Sequence, residues 1–385
     1  MASSMLRIIH TSDVHIGVKF GAFGDKAGAQ RQSLLDVFAK IVDTAISSRA
    51  HIVLIAGDLF DSNFPSYQSV QFVKMQLAKL NDAKVYVAIT PGTHDCLSKD
   101  SIYKRENFAQ NMPHVYVFDN PGVTAKEFSD IDLTVFAKAN TSNKSTESPI
   151  AFLAEASVAA KTKYKVAMAH GSVQIEGKSA GDDLPITLRD IAESGMHYLA
   201  LGHWHGAQEF SFGATAAWYA GSPEITYQEG KGGLGQGYIL LVDIMEKADV
   251  KPVKVSDKEV EEFAMDMQIY ENMENVYYEL EKHANQNKIL MVNISGIIRS
   301  DVFIDPVRIE QDFRKKFLSI KVSDFTGFAA PEALGREYPE ELVIGQFARI
   351  MRQKIEEAKT PEEKKIAQDA MHIGIAELEG KNVLD

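Results

Sequence analysis

An α/β fold is predicted for this chain from three observations. Apolar runs and helical patterns alternate from the N-terminus onward, as in a doubly wound sheet. Short motifs rich in aspartate and histidine follow several of the apolar runs. The composition then changes near Ser256, which predicts a small second domain and two C-terminal helices.

The first three predicted strands are joined by helices. Apolar runs at 6–10, 51–56 and 84–90 predict strands, and the apolar spacing at 29–48 and 66–80 is helical. Short connections between these elements favour parallel strands, whose carboxyl ends meet at one edge of the sheet. Ligands bind at that edge in open α/β sheets.

The next part of the chain is predicted to form a second sheet that packs on the first. Strands are predicted at 115–118, 122–127, 132–136, 165–169, 196–201, 208–212, 216–220 and 236–244, and helices at 149–160 and 187–194. The last three strands alternate as antiparallel strands do. Residues 173–184 are polar and contain glycine, which predicts either a mobile loop beside a site or a plain surface loop.

Beyond Ser256 the pattern predicts an acidic connector at 257–262 and a small β/α domain. Its predicted elements are a helix at 266–284, a strand at 288–298, a helix at 305–317 and a strand at 318–325. Charged helices follow at 340–358 and 361–379. The predicted domains are therefore 1–256, 257–335 and 336–385.

Composition narrows the class of protein. The 385 residues carry a net charge of −12 and are 45% apolar, which is ordinary for a globular protein. No apolar run is long enough to span a bilayer, and the single cysteine cannot form an intramolecular disulfide, so a cytoplasmic protein without a membrane association is expected. The negative charge argues against nucleic-acid binding through the whole surface.

Candidate metal ligands lie just after the predicted strands. They are Asp13, His15, Asp58, His94, His170, His203 and His205. Taken singly, each could be a turn or surface residue, or, for His170, a capping or core histidine. Taken together, carboxylates and imidazoles suit Mn²⁺, Fe²⁺ or Zn²⁺ better than Ca²⁺ or Mg²⁺, which prefer oxygen ligands.

The motifs DVH, GDLFD, PGTHD, AHGS and GHWH stand in this order along the chain. This set resembles the calcineurin-like metallophosphoesterase superfamily. TSDVHIG near the N-terminus and YAGSPE after GHWH are most similar to the SbcD-type DNA repair exonuclease subunits. The motif similarity covers residues 6–245, and beyond Ser256 it extends only to length and layout.

The resemblance implies a four-layer αββα core, a small C-terminal β/α cap domain and two divalent ions, with Mn²⁺ as the first choice. By motif position, Asp13, His15 and His205 would hold one ion, His170 and His203 the other, and Asp58 would bridge them. His94 would act in catalysis beside the phosphate. Thr93 stands at a ligand position where the family has asparagine, so the second ion is expected to bind more weakly or not at all.

The function implied is hydrolysis of DNA phosphodiester bonds, exo or endo, by a water activated at two metals. The implied partners are DNA, an SbcC-type ATPase and a second copy of the chain. Candidate substrate-binding residues are Asp61, Arg314, Lys315 and Lys316. The alternatives are a phosphodiesterase or phosphatase acting on a small substrate, and a metal-impaired scaffold that tethers an ATPase.

The helix predicted at 340–358 carries an apolar stripe. The stripe would either pack on its own neighbours, such as the helix at 361–379, or dock a coiled-coil-bearing ATPase. The SbcD resemblance favours docking.

Overall fold

The computed structural model describes residues 5–122, 124–175, 181, 183–226, 235–270, 272–298, 304–328, 338–339 and 341–380. The chain divides into two compact units, Met1–Glu259 and Val260–Asp385. The boundaries predicted at 256 and 335 stay predictions. Within the described ranges, no helix has both the length and the apolar character needed to cross a membrane.

The elements of the first unit follow the predicted alternation. Its strands are β1 (Leu6–Thr11), β2 (Ile52–Ala56), β3 (Tyr86–Thr90), β4 (Val115–Val117), β5 (Ala125–Phe128), β6 (Leu133–Ala137), β7 (Tyr164–His170), β8 (Ser172–Val173), β9 (Pro185–Ile186), β10 (Tyr198–Gly202), β11 (Gln208–Glu209), β12 (Ala216–Tyr219), β13 (Tyr238–Ile244) and β14 (Ala248–Lys254). Its α-helices are α1 (Ala27–Ser47), α2 (Tyr67–Asp82), α3 (Ile102–Arg105), α4 (Leu153–Ala159) and α5 (Leu188–Glu193).

Two six-stranded sheets form the centre of this unit. The first has the order β14-β13-β1-β2-β3-β4, and the second has the order β11-β12-β10-β7-β6-β5. In the first sheet β1, β2, β3 and β4 run parallel, and in the second β6, β7, β10 and β12 do so. The carboxyl ends of β1, β2 and β3, and those of β7 and β10, therefore lie together at an edge of their own sheet.

The sheets pack face to face, with helices on the outside. Along β7, Val166 and Met168 share one apolar cluster with Ile8 and Leu54 of the first sheet. The alternate residue Ala167 belongs to a different cluster, together with residues of α4 and α5. This alternation is the two-residue period of a strand buried on both faces. The result is the predicted four-layer αββα sandwich.

Local sequence signals mark several helix starts. The Ser66 hydroxyl accepts a hydrogen bond from the Ser69 amide at the start of α2. At α5, Thr187 and Asp190 form a capping box in which each side chain accepts from the other residue's backbone N–H. These caps satisfy donors that have no partner inside the helix.

Two strand assignments from sequence were wrong. β13 was expected in the second sheet, but it pairs antiparallel with β1 in the first. β12 was expected to be antiparallel; it is antiparallel to the short β11 but parallel to β10. Alternation shows that a strand is half-buried, but it does not identify the partner or the direction of pairing.

The second unit is also built from strands and helices. Its elements are β15 (Glu259–Asp266), α6 (Met267–Tyr270), α7 (Met273–Lys282), β16 (Asn285–Ile298), α8 (Pro306–Phe313), β17 (Phe317–Phe328), α9 (Val343–Glu357) and α10 (Pro361–Leu378). The sheet order is β15-β16-β17, with β16 and β17 parallel. The predicted acidic connector at 257–262 is wrong in part, because β15 begins within it.

Candidate metal centre

The candidate ligands follow strand ends in unusual backbone conformations. Asp13, His15 and Asp58 have φ values of 51°, 54° and 51°, and His203 has a φ of 109°. Positive φ is uncommon outside glycine, although aspartate, asparagine and histidine tolerate it best. Such strain is held in place only where surrounding contacts fix it, and it clusters at functional sites.

One group of candidate ligands comes from the loop after β1 and from the GHWH motif. Ligand atoms of Asp13, His15 and His205 all lie within 4.8 Å of one another. His205 Nε2 is 4.0 Å from Asp13 Oδ1, and the rings of His15 and His205 are 5.1 Å apart. Asp13 and His15 are fully buried. This group is the first position.

A second group, formed by Asp13, Asp58 and His170, lies around the ends of β1, β2 and β7. Its ligand atoms are also all within 4.8 Å of one another. His170 Nε2 is 3.2 Å from Asp58 Oδ2. The other ring nitrogen, Nδ1, donates to the Ala56 carbonyl at 3.0 Å, so Nε2 faces the carboxylates. This group, with Thr93 and His203 beside it, is the second position.

Thr93 reaches into the second position with its hydroxyl. Oγ1 donates to Asp58 Oδ2 at 3.2 Å and lies 3.4 Å from His170 Nε2. The threonine side chain is shorter than that of asparagine. Its hydroxyl oxygen is also a weaker neutral ligand for a cation than an amide oxygen. The side chain therefore reaches the ligand position of the PGTHD motif with a poorer ligand atom.

His94 lies at the open side of the centre. Its side chain is 42% exposed, and Nδ1 donates to the Asp61 backbone carbonyl at 3.0 Å, which leaves Nε2 as the free ring nitrogen. Asp61 Oδ1 lies 3.9 Å from the same Nδ1 and 3.5 Å from Nδ1 of His15. His94 also falls within 4.8 Å of His15 and Asp58 as a third ligand group.

His203 is placed differently from the other imidazoles. It belongs to none of the three ligand groups found among the described residues. Its Nε2 lies 3.0 Å from Asp183 Oδ2, while its ring centre is 5.3 Å from that of His170. Of the predicted 173–184 loop, residues 176–180 and 182 lie outside the described residues, and Asp183 is part of what is described.

Asp95 organises the PGTHD loop, a role that the motif did not suggest. Its carboxylate accepts hydrogen bonds from the Gly92 amide at 2.7 Å, the Phe60 amide at 3.1 Å and the Tyr103 hydroxyl at 2.7 Å. The loop after β3 is thereby tied to the loop after β2. The His94 amide in turn donates to Asp58 Oδ1 at 2.8 Å. A buried aspartate next to a motif histidine was the only available signal.

The two sheets approach each other closely at Gly202. A Cβ there would overlap the Ala56 carbonyl oxygen and lie 2.8 Å from His170 Nδ1. The same carbonyl accepts the His170 hydrogen bond, so a larger residue would disturb that contact directly. Glycine is required here for close approach rather than for its φ.

The charges around Asp58 are strongly coupled. Burial disfavours a charged His170, but the Asp58 carboxylate outweighs it and raises the pKa of His170 to about 10. Burial also opposes ionisation of Asp58, yet His170 holds the pKa of that carboxyl well below its usual range. Burial lowers the pKa of His205 to about 4. The imidazole and the carboxylate of the second position thus stabilise each other's charged forms.

This donor set fits two divalent cations. Three overlapping groups offer carboxylate oxygens and imidazole nitrogens at the spacing that ligands of one ion require, and Asp58 belongs to two of them. The outward nitrogen of His170 is fixed by a backbone carbonyl, a common arrangement around metal-binding histidines.

The basic candidates Arg314, Lys315 and Lys316 lie in the second unit and are exposed. Lys316 forms an ion pair with Glu281, and its Nζ lies 5.1 Å from the centre of the Phe313 ring. Within that unit, acidic neighbours therefore already engage part of the basic cluster.

Residues 6–207, just over half of the chain, match the Calcineurin-like phosphoesterase family. The chain is 26% identical over 250 residues to the uncharacterized metallophosphoesterase YhaO of Bacillus subtilis, covering 61% of this chain and 57% of YhaO. It is 25% identical over 246 residues to the DNA double-strand break repair protein Mre11 of Thermoplasma acidophilum, covering 61% of each chain.

The Mre11 protein of Sulfolobus acidocaldarius is 24% identical over 326 residues, which cover 80% of each chain. The chain spans about three fifths of the length of YhaO and of the Thermoplasma protein. The family match includes the ends of β1, β2, β3, β7 and β10, where the candidate ligands lie. The chain belongs to the calcineurin-like phosphoesterase family.

Proposed function

We propose that this phosphoesterase hydrolyses phosphodiester bonds in DNA with two divalent ions, Mn²⁺ first among them, as the nuclease subunit of an SbcCD-type double-strand-break repair complex. The observation that carries the proposal is the set of three overlapping ligand groups, in which Asp13, His15 and Asp58 each belong to two. The relatives named as DNA double-strand break repair proteins support DNA as the substrate.

Each side chain has a proposed role. Asp13, His15 and His205 hold the first ion, His170 and His203 hold the second with weak help from Thr93, and Asp58 contacts both. When bound, two ions supply positive charge for the developing phosphorane and lower the pKa of the attacking water. The chain itself fixes the donors in place through the strand ends of two packed sheets.

His94 is proposed to act on the leaving group. Its Nδ1–H is committed to the Asp61 carbonyl, so Nε2 is the nitrogen that can carry a proton to the departing oxygen. The exposed ring can reach a bound substrate, whereas the buried ring of His15 cannot. Asp61 would orient His94 through its backbone carbonyl, and it stays a predicted substrate-binding residue.

The test compares substrates side by side. The purified 385-residue chain is incubated with Mn²⁺ and linear duplex DNA, bis-p-nitrophenyl phosphate or p-nitrophenyl phosphate, with EDTA as the metal-free arm. We expect Mn²⁺-dependent DNA degradation that EDTA abolishes. Cleavage of the small ester without DNA degradation would instead support a small-substrate phosphodiesterase, and bound metal without any hydrolysis would support a scaffold.

The partner proposal concerns α9. Ala348, Met351 and Ile355 are buried against Met371 and Ile375 of α10, so this part of the apolar stripe packs within its own unit. Leu342, Val343 and Ile350 are each at least half exposed. We propose that these three residues contact a coiled-coil-bearing SbcC-type ATPase.

Charge substitution tests that contact more cleanly than truncation, because the covered seam stays intact. Val343→Glu and Ile350→Glu should each reduce co-purification with the ATPase, while Lys359→Glu after the end of α9 serves as a charge control. Retention of full binding by the double variant would remove α9 as the docking element. Analytical ultracentrifugation of the isolated chain tests the proposed homodimer.

The basic cluster is proposed as a DNA contact. Joint replacement of Arg314, Lys315 and Lys316 by alanine should weaken DNA binding and flatten its salt dependence. Hydrolysis of bis-p-nitrophenyl phosphate should stay unchanged. An unaltered salt slope would remove these residues from the DNA interface.

A further inference from the structure

We infer that Asp183 is a positioning residue of the second position: its carboxylate holds Nε2 of His203 and so leaves Nδ1 as the ring nitrogen that would bind the second ion. This inference rests on the proposed two-ion function. It assigns a role in the metal site to a residue between β8 and β9 that belongs to none of the five motifs.

A hydrogen bond joins the side chains of Asp183 and His203. Asp183 Oδ2 and His203 Nε2 are 3.0 Å apart. An ionised carboxylate can only accept, so Nε2 carries the proton. A neutral imidazole has one N–H, and the lone pair is therefore left on Nδ1.

The backbone of His203 is anchored to Asp13. Its backbone N–H donates to both carboxylate oxygens of Asp13 at 3.0 Å, and its φ of 109° turns the chain sharply after β10. The ring stands nearly perpendicular to that of His170, at 71° and a centre distance of 5.3 Å. His203 is thus held between the candidate ligands on one side and Asp183 on the other.

His170 is held in a comparable way. Its Nδ1 is held by the Ala56 carbonyl at 3.0 Å, and its Nε2 faces Asp58. Metal-binding histidines commonly donate their second N–H to a carbonyl or carboxylate, which fixes the tautomer and ring orientation. The two histidines of the second position are accordingly fixed from outside through opposite nitrogens.

Ser172 and Trp204 support the Asp183 carboxylate. The Ser172 hydroxyl donates to Asp183 Oδ2 at 2.6 Å and accepts from Trp204 Nε1 at 3.0 Å. Trp204 stacks on Tyr219, with ring planes 8° apart and centres 5.0 Å apart. Trp204 of GHWH therefore supports Ser172, and Ser172 supports the Asp183 carboxylate that orients His203.

The test is a Mn²⁺ titration of the full chain, read by calorimetry and by electron paramagnetic resonance of the coupled two-ion centre. For Asp183→Ala we expect the second ion to bind about 10- to 100-fold more weakly, while the first binds as in the wild type. Asp183→Asn should lose less, because the amide oxygen still accepts from Nε2–H. Glu147→Ala, which removes a largely exposed carboxylate paired with Lys138, is the matched control.

Ser172→Ala supplies a second, milder variant, since it removes only the support of Asp183; a smaller loss in the same direction is expected. The inference is overturned if Asp183→Ala titrates like the wild type, or if both ions weaken equally. A wild-type protein that binds a single ion would overturn the two-ion function and Asp183's role with it. Two ions bound by the wild type with no effect of Asp183 would overturn the role alone.

Discussion

The two positions of the metal centre differ in what supports them. The first position is built from Asp13, His15 and His205, whose donors are all carboxylate or imidazole. The second position has His170 and Asp58 at close range, but it offers a threonine hydroxyl in the asparagine place. We attribute the proposed asymmetry in affinity to this threonine side chain.

Asp58 is the residue whose loss should affect both positions most, because its Oδ2 lies 3.2 Å from His170 Nε2 of the second position and 3.8 Å from His15 Nε2 of the first. Asp58→Asn should lower Mn²⁺-dependent hydrolysis by about 10⁴-fold, since both ions lose a charged ligand. Bound manganese per chain, measured by mass spectrometry, should fall from two to at most one. Asp43→Asn on the exposed face of α1 is the control. Near-normal activity in Asp58→Asn would refute the bridging role.

His94 separates chemistry from binding at both positions. His94→Gln should lower kcat by about 10²- to 10³-fold, the range of a lost general acid, with manganese content unchanged. Turnover of bis-p-nitrophenyl phosphate and metal analysis on one preparation check this. If manganese is lost together with activity, His94 is a ligand of the third group rather than the acid.

Gly202→Ala should harm the second position more than the first. The added methyl would collide with the Ala56 carbonyl and crowd His170, so we expect a loss of about 1–3 kcal/mol in stability and weaker binding of the second ion. Thermal unfolding with and without Mn²⁺ measures both. Gly28→Ala near the start of α1 has room for its methyl group and should not destabilise the fold. Equal melting temperatures for both variants would contradict the close-packing argument.

Thr93→Asn should reduce the difference in affinity between the two ions, and this effect is expected to be the smallest of the four. The amide oxygen is a better neutral ligand than the hydroxyl, and we expect about tenfold tighter binding of the second ion, equivalent to about 1.4 kcal/mol. Thr93→Ser keeps a hydroxyl and should titrate like the wild type. An unchanged titration for Thr93→Asn would show that Thr93 does not limit the second position.

The sequence predicted the strand ends better than the strand partners. Apolar runs placed β1, β2, β3, β7 and β10 within a few residues, because both faces of these strands are buried. β14 was missed, since charged residues and Pro252 interrupt its pattern. The start of β15 was taken for a connector for a similar reason: the strand is rich in glutamate, and only one of its eight residues is buried.

At the metal centre, motif order identified residues that the structure brings together, but not their supports. Asp95 and Asp183 act through hydrogen bonds to distant loops, and no periodic signal in the sequence announces such contacts. The nitrogen that each histidine presents was equally hidden, because it depends on what lies behind the ring.

The positive φ values at Asp13, His15, Asp58 and His203 limit which replacements the chain can accept. Aspartate, asparagine and histidine are the non-glycine residues that enter this region most readily, and they are also good metal ligands. Backbone conformation and coordination chemistry therefore favour the same few residue types at these positions. A redesign toward another cation could exchange these residues among themselves, whereas glutamate or a β-branched residue would be penalised by the backbone before any ion bound.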